Sequence, residues 1–361
     1  MTMKKIMILA TVAAALAACN NEEDAFVDNR APNVIYMTAG VDAVAVTRAE
    51  VATFPNALDG SAKIAVVARY TNTALATDWN SPYINHVSAN VANGSDSNFA
   101  FNWLANGTQY WPVSGEELQF LAYSPIDNSS TVTKNATANK INISLAATHT
   151  DMPDVIVANK TSQNEDITGK KENTGDQNGP GTGAQNPVTV DFQFKHILSQ
   201  LDVMVKGKNS NDKAKIDKVE VIVDKAQVKK NFDMTVDLTA NAEGWDTNGD
   251  AEGDLTYTYT SPGNLSTGGT TINGTTPILL FPDTQDNIKV KVWVKDDSSE
   301  AVELPTVTLS DAITVGGSGK ATLQTGKKNT LTITVKGVEI SGMQGGVTEW
   351  TSNGEFNADI Q

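Results

Sequence analysis

The chain has a single cysteine, Cys19, so it cannot close a disulfide within itself and must stabilise its fold by burying apolar surface. It has three histidines, His86, His149 and His196, widely separated and without a second His, Cys or acid at metal-ligand spacing. That argues against a His/Cys metal centre. Arginine is nearly absent: Arg30, Arg48 and Arg69 are the whole set, and every other cation is a lysine. Against 27 cations stand 42 acids, a net charge of −15, so no basic stripe exists to neutralise phosphates and nucleic acid is excluded as a partner. No Gly-x-Ser-x-Gly elbow, P-loop or dinucleotide fingerprint occurs. With so many acids, any chosen carboxylate pair is uninformative about glycoside hydrolysis. No enzyme chemistry and no cofactor are expected.

Long apolar runs are missing too. The apolar stretch Ile6 to Leu16 follows Lys4-Lys5 and is about half the length that crosses a bilayer. It suits the apolar region of a secretory leader. It ends in "LAAC", Leu16 to Cys19, which resembles a bacterial lipobox, and the acidic "NNEED" of Asn20 to Asp24 follows. The resemblance implies removal of a signal peptide, residues 1–18, and acylation of Cys19. Acyl chains there would hold the protein to the outer membrane. "NNEED" looks like a tether that sends lipoproteins to the cell surface.

What the chain has in abundance is period-two alternation. "NIKVKVWVK" places Ile288, Val290, Val292 and Val294 on one face. "PVTVDFQF" does so with Val188, Val190, Phe192 and Phe194, "LDVMVK" with Leu201, Val203 and Val205, "VEVIVD" with Val219, Val221 and Val223, and "LTITVK" with Leu331, Ile333 and Val335. Each pattern marks a half-buried antiparallel strand. Turn chemistry is placed at Asn106, Asn178, Ser261 ("SPGN") and Gly316. "KHILSQL" reads as a strand bend or a short helix. The fold class is all-β, most simply two sandwiches. Residues 161–185 contain one Ile and no other large apolar side chain, so they are expected to form a linker or long loop between sandwiches at 49–160 and 186–361.

Few residues offer chemistry. His196 reads as a packed structural residue. "DTNGDAEGD", Asp246 to Asp254, copies the 1-3-5 acids of a calcium loop, but Ala251 and Tyr257 stand where Gly and Glu are needed, so a solvated turn is the reading. Trp79, Trp103 and Trp111 could line a sugar-binding surface, although burial suits them better.

A family resemblance runs along nearly the whole chain. "YWPVSGEELQFLAYSP" (Tyr110 to Pro125), "DMPDVIVANK" (Asp151 to Lys160), "FQFKHILSQLDVMVKG" (Phe192 to Gly207), "PILLFPD" and "LQTGKKNTLTITVKG" resemble, in order, the fimbrillins or type V pilins of anaerobic Gram-negative bacteria. The resemblance implies two transthyretin-like β-sandwiches, export as a lipoprotein and assembly into surface fimbriae with other pilin subunits. It also implies that an Arg-specific surface protease cuts the precursor, frees an N-terminal strand and lets another subunit's strand take its place. Here the matching position is Arg48-Ala49, within "TRA". The segment released, residues 19–48, carries "NVIYMTAGVDAVAV" (Asn33 to Val46), apolar enough to be a strand. Scarcity of Arg downstream would protect the mature body from the same protease.

One departure stands out. The C-terminal "GVTEWTSNGEFNADIQ" offers only Val347, Trp350, Phe356 and Ile360 as anchors, with Gly354 among them, a poor donor strand. Shaft, tip and accessory positions stay open, and so does the surface ligand. The alternative from another class is a surface glycan-binding lipoprotein that keeps its anchor and never assembles.

Overall fold

The computed structural model describes residues 33–41, 63–72, 78–92, 99–104, 107–126, 132–145, 154–161, 163–171, 189–209, 214–238, 244–272, 278–282, 288–295, 300–308, 323–336 and 339–349. These residues form strands and turns without a helix. In chain order the strands are β1 Tyr36–Val41, β2 Lys63–Tyr70, β3 Ile84–Ala92, β4 Phe99–Trp103, β5 Leu118–Ser124, β6 Val132–Lys134 and β7 Lys140–Ser144. Next come β8 Ile156–Lys160, β9 Thr168–Gly169, β10 Thr189–His196, β11 Ser199–Gly207, β12 Lys215–Asp233, β13 Trp245–Asn264 and β14 Thr270–Thr271. The last are β15 Ile278–Leu280, β16 Ile288–Lys295, β17 Val302–Glu303, β18 Val307–Thr308, β19 Lys327–Lys336 and β20 Glu339–Glu349.

The first sheet closes on itself. Its order is β2–β3–β4–β1–β10–β8–β5, and β5 pairs back to β2, with β9 added beside β8 on β5. Inside the ring lie Met37, Val66, Phe101, Phe120, Ala158, Phe192 and Phe194, all buried. The other two sheets are open. One runs β14–β11–β19–β20 with β15 also on β11; the other runs β17–β16–β12–β7–β6 with β13 on β12 and β18 on β16. The alternating residues foreseen on β11, β12, β16 and β19 are all buried between these sheets.

A single apolar cluster joins ring and sheets. It contains Ala65, Val67, Leu121, Tyr123 and Val157 from the outer face of β2, β5 and β8, together with Val221, Val290 and Ile333. These ring strands are therefore covered on both faces, which explains the nearly continuous apolar runs "KIAVVARY", "LQFLAYS" and "IVANK".

Four sequence expectations meet a different geometry. Pairing is antiparallel except at β1–β10 and β11–β19, which are parallel. Both join strands far apart in the chain, where a crossover is long enough to reverse direction. Asp246 to Asp254 is not a turn but part of β13, which pairs with β12 as far as Asn264 and so includes "SPGN". Four register shifts interrupt the ladder, and Pro262 falls within one of them, between the pairs Ile216–Gly263 and Lys218–Thr260, so its missing N–H costs no ladder bond. Among those residues no group of three or more His, Cys, Asp or Glu could hold a metal ion. Of the stretch 161–185, the described part packs on the ring: Ile167 is buried, β9 pairs with β5, and a Cβ on Gly169 would meet the Trp111 ring at 2.7 Å. Strand β10, placed by sequence in the second sandwich, completes the ring. "KHILSQL" is a strand bend, with Ile197 and Leu198 between β10 and β11.

His86 occupies a strained position with φ of 51°, where β3 bulges against Val66 and Ala68 of β2. Its Nδ1 lies 3.1 Å from the Tyr123 hydroxyl. Burial, then Lys134, lowers the ring's pKa from 6.5 to about 4, so it is neutral in the fold. Unfolding lets it bind a proton between those values, so stability falls as pH drops through 6.5 and the loss is complete near 4. After allowing for solvent at this half-buried ring, the loss is about 1 kcal/mol. His86→Asn, which tolerates the same φ, should flatten that part of the urea-midpoint profile between pH 7 and 4; an unchanged slope would assign the loss to other groups.

Candidate functional site

The segment between Asn33 and Val41 is the structure's most informative stretch. Alternation in "NVIYMTAGV" makes it a strand with one apolar face, and Ile35, Met37 and Ala39 are buried inside the ring while Tyr36 and Thr38 are half-buried. On one side β1 runs parallel to β10, with Tyr36 beside Thr189, Met37 beside Val190 and Ala39 beside Phe192. On the other it runs antiparallel to β4, with Met37 beside Phe101 and Ala39 beside Phe99.

Its approach is also fixed. Val34 forms a bridge with Tyr110, the Ile35 amide donates to the Gln109 carbonyl at 3.0 Å, and the Trp111 amide donates to the Asn33 carbonyl at 2.9 Å. The Trp103 indole N–H donates to the Ile35 carbonyl at 2.7 Å. Among the described residues its strand partners lie well downstream, and β1 makes no ladder with β2, its neighbour in the chain. Residues 42–62 are the covalent link between them, and Arg48-Ala49 lies there, outside the described residues, as does Cys19.

Removal of β1 would therefore open the ring and leave two unpaired edges, β4 and β10, flanking an apolar trough. Such a trough is a template for strand addition.

The third arginine is differently placed. Arg69 lies within β2, paired with Gln119; its Nε and Nη2 donate to Gln119 Oε1 at 3.0 and 2.9 Å, and its guanidinium stacks 4.6 Å from the Trp79 ring. A protease needs a chain free of other pairing, and Arg69 sits in a strand bonded on both sides, to β3 and β5.

The other candidates are structural. His196 is mostly buried with Nδ1 2.5 Å from Asp154 Oδ2. Trp79 and Trp111 are buried and Trp103 is packed against the ring core, so the three do not form an exposed sugar platform. The exposed large apolar side chains instead include Tyr110 and Val113, in the turn that meets Asn33 to Ile35. Sequence reasoning passed over this turn's contact with β1 because a bridge across 75 intervening residues leaves no local signal.

The fimbrillin-like family model matches residues 47–350. The chain belongs to that family. This fimbrillin-like chain is a structural protein of the fimbrial or adhesive type, not an enzyme, and its place is the cell surface. No curated protein sequence matches it. Among solved structures it is similar to a protein of Bacteroides ovatus assigned to cell adhesion, at 17% identity and a TM-score of 0.52, covering 90% of this chain and 100% of that one. A second such protein, from Bacteroides uniformis, aligns at 14% identity and a TM-score of 0.53 over 88% of this chain and 98% of its own. At these identities the likeness is one of fold. The family match begins one residue before Arg48, so β1 lies upstream of it.

Proposed function

We propose that the chain is a fimbrial subunit exported as a lipoprotein on Cys19, cut between Arg48 and Ala49 by an Arg-specific surface protease, and assembled by exchange of β1 for a strand of another pilin subunit. The observation that carries this reading is that β1 is an integral strand of a closed ring, yet its sole covalent tie to the rest of the ring runs through the segment holding Arg48. Cutting there leaves the ladders of β1 with β4 and β10 in place, contacts another strand can replace. The engagement of Arg69 in β2 and the absence of Arg beyond it support a single cut that spares the body.

In this reading 1–18 is the signal peptide, 19–48 the tether and removable strand, and the outer membrane the partner until release. That the mature body comprises two sandwich units is part of the same proposal, with β9 and β10 counted to the first.

N-terminal sequencing of subunits from purified fimbriae tests it. The sequence expected is Ala49-Glu50-Val51-Ala52; subunits that begin at acylated Cys19 would refute the cut. Cys19→Ala should abolish lipid labelling and leave precursor with its leader attached, and normal surface display of that variant would refute the lipoprotein route.

A further inference from the structure

We infer that the groove beside β4 and β10 selects its occupant by side-chain size at three alternate positions, in the order large, large, small. The inference rests on the exchange reading and names the partner: an extended segment of a second chain with bulky apolar residues at the first two inward positions and Ala or Gly at the third.

The argument begins with what stands beside each inward position. Met37 lies next to Val190 of β10, and Ala39 lies next to Phe192 of the same strand. Toward β10 a long side chain lies beside a small one and a methyl group beside an aromatic ring, whereas toward β4 Met37 lies beside Phe101, so the limit on size is set from the β10 side. Interiors of this kind fill by alternating large and small across facing positions. The Phe192 ring has no slack: its centroid is 6.1 Å from that of Phe194 and 6.4 Å from that of Phe120, which lies 5.8 Å from Trp111. Phe120, Phe192 and Phe194 are fully buried, as is Ala39 itself. A larger side chain at the third position would have to displace this stack.

A size pattern discriminates only if the occupant cannot slide. A slip of one residue turns the apolar face outward. A slip of two keeps the face but places a large residue where Ala39 sits. The bonds from Trp103 Nε1 to the Ile35 carbonyl, from the Ile35 amide to Gln109 and from the Trp111 amide to Asn33 all meet the backbone of the occupant. Because these bonds meet backbone, they rule out a slip of one residue but re-form after a slip of two. What opposes the slip of two is the bulk it brings to the Ala39 position, so the size pattern itself sets the register.

The test uses the full chain after cleavage at Arg48, mixed with fluorescein-labelled synthetic peptides of residues 33–42. Entry is measured as label that co-migrates with the folded protein on gel filtration, and by native mass spectrometry. The wild-type peptide and its Ala39→Gly version should enter; the Ala39→Phe version should enter about tenfold less or worse, the effect of overpacking a filled site. Protein carrying Phe192→Val should regain entry of the Ala39→Phe peptide, which a general loss of peptide quality would not produce. Equal entry of wild-type and Ala39→Phe peptides overturns the size pattern alone. No entry of the wild-type peptide overturns the exchange reading and the pattern with it.

Discussion

Cells carrying Arg48→Ala are expected to display a folded, lipidated monomer and no fimbriae built from this chain. In the uncut precursor β1 is tied to β2 by residues 42–62, so after every opening it returns at the high effective concentration of a tethered strand. A competing strand in solution cannot match that. Burial of Ile35 and Met37 alone holds β1 with about 3–6 kcal/mol, before its ladder bonds are counted. Cutting does not eject the strand; it removes the tether and leaves a contest that a better-fitting strand can win. Arg48→Lys should fail as completely as Ala despite keeping the charge if the cut is made by an Arg-specific protease, as proposed. Arg30→Ala should assemble normally, since Arg30 precedes β1 and a cut there leaves the strand joined to the body. Immunogold counts of filaments and ladders of SDS-resistant oligomers read the outcome. Wild-type numbers of fimbriae from Arg48→Ala would make Arg48 a loop residue.

Phe192→Ala should destabilise the chain by about 3–5 kcal/mol, a large fraction of the whole for a typical protein. The ring of Phe192 is fully buried and packs beside Phe120 and Phe194. Truncation leaves a void that the closed ring of strands cannot collapse to fill, because its wall is hydrogen-bonded all the way round. Urea unfolding followed by near-ultraviolet circular dichroism gives the number. A loss below about 1 kcal/mol would mean that the interior relaxes freely.

These two positions were legible to different degrees, for physical reasons. Val190, Phe192 and Phe194 alternate with polar residues, so β10 declared itself as a strand. Its place beside β1 did not, because a parallel pairing between residues 36–41 and 189–194 has no local signature. Ring strands such as β5 hide their period because both faces are covered. β13 was misread outright: Gly249, Gly253, Pro262 and its acids all favour turns, but pairing along most of β12 overrides that preference, and an edge strand tolerates them. At the candidate site, apolar character marked Asn33 to Val46 and the scarcity of Arg marked Arg48, whereas closure of the ring by β1 could be seen only in three dimensions.

Strand β12 has one further consequence. Over Lys215–Val223 it bonds to β16, and over Lys229–Asp233 it bonds on the same side to β7, which precedes the ring strands β8 and β10 in the chain. The Asn159 side-chain amide on β8 reinforces the junction by donating to the Met234 carbonyl at 2.8 Å. Among the described residues no ladder joins the ring to the open sheets, so a pull between them would be shared by three chain crossings, β5 to β6, β7 to β8 and β10 to β11, and by the apolar cluster packed across the seam. A seam crossed three times by covalent chain resists parting, which puts the first extension under load at whatever joins one such body to the next.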